Sequence, residues 1–213
     1  MSLEENLRAV RERIVRAGRN PDEVTIVAVT KGFGPDVCRA ALDAGLNVLG
    51  ENRVHEALTK MAEVEGAEWH LIGHLQSNKA RLAAGRFQLI QSVDSLRLSE
   101  HIARIAPSQP VLVEVNISRE PQKTGVAPDE SVALATEIAK RLDLQGLMAM
   151  GPASGDPTQA FEELRRLRDE AQQKIGRALP VLSMGMSGDF EAALRAGSTM
   201  LRLGQVLFGP RPG

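Results

Sequence analysis

The sequence predicts an α/β protein: a single-domain (β/α)8 TIM barrel, with an extra N-terminal helix, over residues 1–213. Short apolar runs alternate with amphipathic helical segments along the whole chain, which implies parallel strands joined by right-handed crossovers. Eight such units occur, and eight regular units suit a closed barrel better than an open doubly wound sheet. No linker, low-complexity stretch or shift in composition divides the chain.

The elements follow in order. Leu3, Leu7, Val10, Ile14 and Ala17 stand at helical spacing, and Gly18 with Asn20-Pro21 ends this leading helix. Residues 24–30 are β-branched and small apolar types without alternation, the pattern of a strand buried on both faces. Pro35-Asp36 opens a helix that Gly45 closes. Strands are then expected at 46–52, 69–74, 87–93, 111–116, 144–150, 181–186 and 198–204. Between them fall helices at 53–64, 77–84, 95–106, 129–141, 158–176 and 189–196. The polar stretch 116–128, with Pro121 and Gly125, is the longest non-helical connection and is expected to be mobile.

Composition narrows the function. A formal net charge of −1 makes no electrostatic case for nucleic acid or an anionic membrane. No apolar run approaches the roughly 20 residues of a membrane span, and the acidic start Met1-Ser2-Leu3-Glu4-Glu5 does not look like a signal peptide. The one cysteine, Cys38, sits in a helical context as a packing residue and suits a reducing cytosol, so a cytoplasmic location is expected.

In a barrel the C-terminal strand ends converge on one mouth. The residues delivered there are Lys31, Asn52, His74, Asp94, Asn116, Ser187 and the turn Arg202–Gln205. Only six of the 26 basic residues are lysine, so each lysine is informative. Lys31 ends the first buried strand, where partial desolvation would lower its pKa and suit it to Schiff-base chemistry. On that stretch alone it reads equally as a lysine marking where the strand meets water.

Ser187 stands where the seventh strand gives way to a helix and is read as an N-cap, with Gly188 allowing close approach. Gly204 and Gln205 make a second turn after the eighth strand. Barrels bind phosphate with the loops after strands seven and eight, so the pair of turns points to an anion site. Arg202 shares a strand face with Gly204 and needs a partner inside a small barrel, either functional or structural, for instance Asp94. His70 and His74 lack a third ligand at metal spacing, so no metal is expected. Asp94 is read as a helix cap rather than as a site residue.

These segments together resemble one family. The chain carries Lys31 after an apolar strand, Gly50-Glu51-Asn52, His70-Leu71-Ile72-Gly73-His74-Leu75-Gln76-Ser77-Asn78-Lys79, Gly146 to Met150, Ser183-Met184-Gly185-Met186-Ser187 and Arg202-Leu203-Gly204 in order. In this it is similar to the pyridoxal phosphate homeostasis proteins, the YggS or PROSC family, whose fold is like the N-terminal barrel of alanine racemase. The resemblance implies pyridoxal 5′-phosphate (PLP) held as an internal aldimine on Lys31, with its phosphate on Ser187 and the Gly204–Gln205 turn. It also implies Arg202 facing the pyridine nitrogen and Asn52 near the ring substituents. An arginine disfavours protonation of that nitrogen, which makes the ring a weaker electron sink.

What the resemblance implies is cofactor storage or delivery and amino-acid balance, not turnover, with PLP enzymes lacking their cofactor as possible recipients; with the barrel mouth free of a partner domain, a monomer is the expected form. The alternative is a PLP-dependent amino-acid racemase or another fold-type III PLP enzyme. Racemization by the alanine racemase route uses a tyrosine as second base, and this chain has no tyrosine. A Schiff-base aldolase using Lys31 without PLP fits the anion turns but not the wider motif match. The chain departs from the family pattern at Gln205, usually threonine or serine, at His55, usually glutamine, and at Arg119-Glu120-Pro121-Gln122-Lys123.

Overall fold

The computed structural model describes residues 2–210; Met1 and residues 211–213, the ends of the expected domain, lie outside the described residues. The chain opens with α1 (Leu3–Arg16), where Ser2 Oγ accepts the Glu5 N–H at 3.3 Å and Glu5 Oε2 accepts the Ser2 N–H at 2.8 Å. This reciprocal cap satisfies two N–H groups that a helix start leaves without partners.

Eight strands follow: β1 (Thr25–Val29), β2 (Val48–Glu51), β3 (Glu68–Leu71), β4 (Leu89–Val93), β5 (Pro110–Val115), β6 (Asp143–Ala149), β7 (Val181–Ser183) and β8 (Met200–Leu203). All are parallel, each pairs with the next, and β8 returns to β1, where Thr25 aligns with Met200 and Val27 with Arg202. The barrel closes as the alternation of elements predicts. The helices between them are α2 (Pro35–Asp43), α3 (Val54–Met61), α4 (Ala80–Ala83), α5 (Leu96–Ala103), α6 (Pro128–Ile138), α7 (Thr158–Ile175) and α8 (Phe190–Arg195). A short α9 (Gln205–Phe208), not foreseen from the sequence, follows β8.

The leading helix has a clear place. After β8 the described chain makes only the single turn of α9, too short to cover the sheet there. Instead α1 packs against α8 and α9: Arg13 Nε donates to Glu191 Oε1 at 2.6 Å, Arg13 lies 4.2 Å over the Phe190 ring, and Asn6 Nδ2 donates to the Leu207 carbonyl at 2.8 Å. Leu7, Val10 and Ile14 form its buried stripe, three of the five positions read as apolar spacing.

Inside the barrel, Val27, Leu89, Leu112, Met148 and Met200 form an apolar plug. Two residues further along their strands, and so on the same inward face, come Gln91, Glu114 and Arg202. The outer core lies between the sheet and the helices. The strands are shorter than the apolar runs suggest. Thr30 is fully buried, yet β1 ends at Val29, and β7 stops at Ser183 instead of reaching Met186.

The connection after β5 is long but tied down. Asn116 Nδ2 donates to the carbonyls of Glu120 (2.9 Å) and Lys123 (3.3 Å), Thr124 Oγ1 donates to Glu114 Oε1 (2.6 Å), and Lys123 Nζ reaches the Gly151 carbonyl (2.8 Å). Arg119 adds a two-pronged bond to Glu163 on α7, at 2.8 and 2.7 Å. The stretch 116–128, expected to be mobile, is tied by its polar side chains to β5, the end of β6 and α7.

Candidate functional site

A cavity of about 510 Å³ opens at the C-terminal ends of the strands, and Lys31, Asn52, Ser187, Arg202, Gly204 and Gln205 all line it. The six positions come from four separate strand ends, so only barrel closure brings them together. Ile72, Met150 and Met186 complete an apolar wall. The size suits a small ring with polar substituents.

Lys31 stands in the turn beyond β1, two residues past the strand's last residue. The turn is built from backbone bonds: the Thr30 N–H donates to the Gly50 carbonyl at 3.1 Å, and the Phe33 N–H to the Thr30 carbonyl at 3.1 Å. Gly32 takes φ 78°, which the residue after Lys31 reaches without steric cost only because it has no Cβ. Phe33 then packs against Phe208 of α9, with ring centroids 5.5 Å apart, which joins the lysine turn to the turn after β8.

Asn52 follows β2, partly buried. Its backbone fits because Gly73 faces it: a Cβ at Gly73 would collide with the Asn52 carbonyl oxygen and Cα.

Ser187 is not a helix cap. The helix begins three residues later, at Phe190, and Asp189 in the cap position turns back to accept the Met186 N–H at 2.6 Å. Ser187 Oγ instead accepts the Val206 N–H at 3.2 Å, which locks the turn after β7 to the turn after β8. Among the described residues, no acceptor in the protein takes the backbone N–H of Ser187, Gly188 or Gln205. These three residues, from two turns tied to each other, line the same cavity as Lys31.

Arg202 is 5% exposed and does not meet Asp94. Its Nη1 donates to the Ser183 carbonyl (2.9 Å) and hydroxyl (2.8 Å), and Nη2 to the Ala149 carbonyl (2.7 Å). Three of the five N–H groups of the guanidinium are thus used on described acceptors, and Arg202 also lines the cavity. Burial pulls its pKa down to about 10, against the pull of the Glu114 and Asp189 charges, so it stays a cation at neutral pH.

The polar chain continues inward. Ser183 Oγ donates to Gln91 Oε1 at 2.7 Å, and Gln91 Nε2 lies 3.0 Å from His70 Nδ1. The amide nitrogen can only donate, so His70 accepts at Nδ1 and carries its proton on Nε2. Burial pushes the His70 pKa down to about 4, which keeps it neutral.

His74 and Asp94 stand apart from the main cavity. Asp94 Oδ2 lies 3.4 Å from His74 Nδ1, and both line a neighbouring hollow of about 430 Å³. Asp94 is not a cap; Ser95 takes that role, its hydroxyl accepting the Leu98 N–H at 3.4 Å. Asn116 is spent on the connection after β5. Among the described residues, no group of three or more His, Cys, Asp or Glu side chains is arranged to hold a metal.

One buried cluster was not foreseen. Lys60 Nζ donates to Thr30 O (2.8 Å), Glu51 Oε1 (2.6 Å) and Glu56 Oε1 (2.8 Å) directly beneath the lysine turn. Burial alone would lower the Lys60 pKa, but the two carboxylates outweigh it and hold it above the usual lysine value. Lys60 shares a helix face with buried Ala57 and Val54, so its apolar neighbours were the available signal.

The family model for the alanine racemase N-terminal domain matches residues 1–212. A pyridoxal phosphate homeostasis protein of Aquifex aeolicus (strain VF5) is 40% identical over 99% of this chain and 99% of its own length. The structure of PipY from Synechococcus elongatus PCC7942 with PLP bound superimposes with a TM-score of 0.86 at 34% identity, covering 98% of this chain and all of that one. The alanine racemase of Corynebacterium glutamicum shares the fold at a TM-score of 0.79 and 18% identity, and this chain covers 61% of it. With this similarity over its whole length, the chain belongs to the alanine racemase N-terminal domain family and, within it, to the pyridoxal phosphate homeostasis proteins.

Proposed function

We propose that this chain binds PLP in the 510 Å³ cavity and holds it for storage and delivery, with little or no turnover of its own. The observation that carries the reading is the convergence of Lys31 with backbone N–H groups that no acceptor among the described residues takes. When bound, the cofactor supplies an aldehyde and an electron-withdrawing ring. Lys31 supplies the amine that captures the aldehyde. Ser187, Gly188 and Gln205 supply N–H groups for the phosphate, and the Ser187 hydroxyl keeps the two turns in register by holding Val206. Gly204 keeps the turn after β8 close to β1, since a Cβ there would come within 3.3 Å of the Val29 carbonyl oxygen. Asn52 offers an amide to the ring's substituents.

Arg202 governs what the site can do. A guanidinium held as a cation against the ring's nitrogen would oppose protonation there and weaken the ring as a sink for carbanion charge. Its place is set by three bonds to β6 and β7, so it cannot swing aside without leaving the Ser183 hydroxyl and two carbonyls short of a donor. The chain also has no tyrosine to act as a second base. Both observations support a holder rather than a racemase.

The wider reading is a single domain over residues 1–213, working as a monomer in the cytoplasm and passing PLP to enzymes that lack it. The buried, unpaired Cys38 suits such a compartment. Among the described residues no helix is long and apolar enough to cross a membrane. The test is optical: titrating PLP into wild-type protein should raise a saturable visible band that Lys31→Ala lacks. Deuterium exchange at Cα of L- and D-amino acids should stay at the level of free PLP; exchange at enzymatic rates would overturn the holder reading.

A further inference from the structure

The Glu51–Lys60–Glu56 cluster reaches the residues on both sides of Lys31. Lys60 Nζ donates to the Thr30 carbonyl at 2.8 Å, and the Thr30 hydroxyl donates to Glu51 Oε1 at 2.7 Å. On the other side, the Gly32 N–H donates to Glu56 Oε1 at 2.6 Å. All three ammonium hydrogens of Lys60 are thereby used, on Thr30, Glu51 and Glu56. The side chains of Lys60 and Glu51 are 5% and 0% exposed, and Glu51 Oε2 has no hydrogen-bond partner.

Such a cluster is a poor way to hold a barrel together. Removing the Glu51 carboxylate and the Lys60 ammonium from water costs several kcal/mol per ion, and well-packed apolar residues of similar volume are often as stable or more so. A buried carboxylate oxygen without a donor adds to that cost. The feature that apolar packing could not reproduce is directional: a carbonyl, a hydroxyl and an N–H, all adjacent to Lys31, are bonded to side chains from β2 and α3.

We propose that Glu51, Lys60 and Glu56 act as a clasp that positions Lys31, holding the peptide units before and after it so that its amine is presented at a fixed distance from the two anion turns. This rests on the reading that Lys31 captures the cofactor's aldehyde. Glu56 is the member that can be altered most cleanly. It is partly exposed, it alone holds the Gly32 N–H, and its loss leaves the Lys60–Glu51 pair intact.

The experiment compares wild type, Glu56→Ala and Glu56→Gln by three measurements. Hydrogen exchange of the Gly32 amide is read by NMR in cofactor-free protein, thermal midpoints are read in the same state, and the rate of visible-band growth is read after adding PLP. The glutamine carbonyl can still accept the Gly32 N–H, so it serves as the rescue. The clasp predicts that Glu56→Ala speeds Gly32 exchange about tenfold or more, as loss of roughly 1.4 kcal/mol of local protection requires. PLP capture slows by at least a similar factor while the thermal midpoint changes little, and Glu56→Gln restores most of both rates. Capture unchanged in Glu56→Ala despite faster Gly32 exchange would make the cluster merely structural and overturn the proposal. So would Gly32 exchange that does not respond at all. If wild-type protein raises no band, the cofactor reading fails, and Gly32 exchange still judges whether the clasp exists.

Discussion

Arg202 Nη1 donates to the Ser183 hydroxyl at 2.8 Å, and that hydroxyl donates onward to Gln91 at 2.7 Å. The chain ends on His70, 3.0 Å further, so a cavity-facing guanidinium is oriented by a residue on the opposite side of the barrel interior. Every link has a fixed direction. Arginine can only donate, the serine hydroxyl accepts from it and donates to the Gln91 oxygen, and the Gln91 nitrogen requires an acceptor on His70.

Breaking the middle link should cost more than an average hydrogen bond. Gln91→Leu leaves the buried Ser183 O–H without an acceptor and His70 Nδ1 without a donor, and each such loss costs about 1–3 kcal/mol. Urea unfolding of the variant should show a loss in that range or above, with PLP affinity also reduced as Arg202 loses its orientation. Ser183→Ala should behave the same way, since it removes one Arg202 bond and frees the Gln91 oxygen.

The same chain sets an acid limit. His70 is held at a pKa of about 4, below its ordinary 6.5. Above pH 6.5 neither folded nor unfolded protein binds the proton, so this residue costs no stability there. As pH falls from 6.5 to 4, the unfolded chain takes a proton that the folded chain refuses. Stability should therefore drop by about 1.4 kcal/mol per pH unit, reaching about 3 kcal/mol. His70→Asn keeps an oxygen for Gln91 and does not titrate. Its unfolding free energy should fall less steeply across this window than that of wild type, when both are measured by urea titration at successive pH values.

The proposed phosphate site can be tested without PLP. Inorganic phosphate should raise the thermal midpoint of wild-type protein more than chloride does at matched ionic strength. Ser187→Ala should lose most of that difference, because the Val206 N–H loses its acceptor and the two turns lose their tie. Its affinity for PLP should fall about tenfold, the effect of losing roughly 1.4 kcal/mol from a bond network around a charged group.

Gln205 offers a gain rather than a loss. It lines the cavity at the start of α9, exposed and without a hydroxyl. Gln205→Ser would add a short donor beside the N–H groups proposed to hold the phosphate. PLP should then dissociate more slowly, by several-fold up to about tenfold, as one hydrogen bond to a charged group provides. Stopped-flow transfer of PLP to an enzyme lacking its cofactor would read the change directly.

Barrel closure was legible because parallel strands buried on both faces read as continuous apolar runs, as Ile26 to Val29 and Val111 to Val113 do. Strand ends were less legible. Thr30 and Met184 are buried just past the strand ends and each still donates one backbone bond to a neighbouring strand, so in a sequence they look like strand. The six candidate residues line one cavity as expected, since topology alone carries strand ends to the mouth. Their local roles were harder to read. Ser187 looked like a cap because serine before a helix usually is one, but its partner, Val206, is 19 residues away. Lys60 was overlooked because lysine on a helix normally faces water, and only the folded barrel brings Glu51 and Thr30 to it.

The most direct test is chemical. Wild-type protein incubated with PLP and reduced with borohydride should, after digestion, carry the reduced cofactor's added mass on the peptide containing Lys31, at close to one equivalent per chain. Lys31→Ala should carry it nowhere in comparable yield. Cofactor mass on Lys60, Lys79 or Lys123 with Lys31 unmodified would contradict the account.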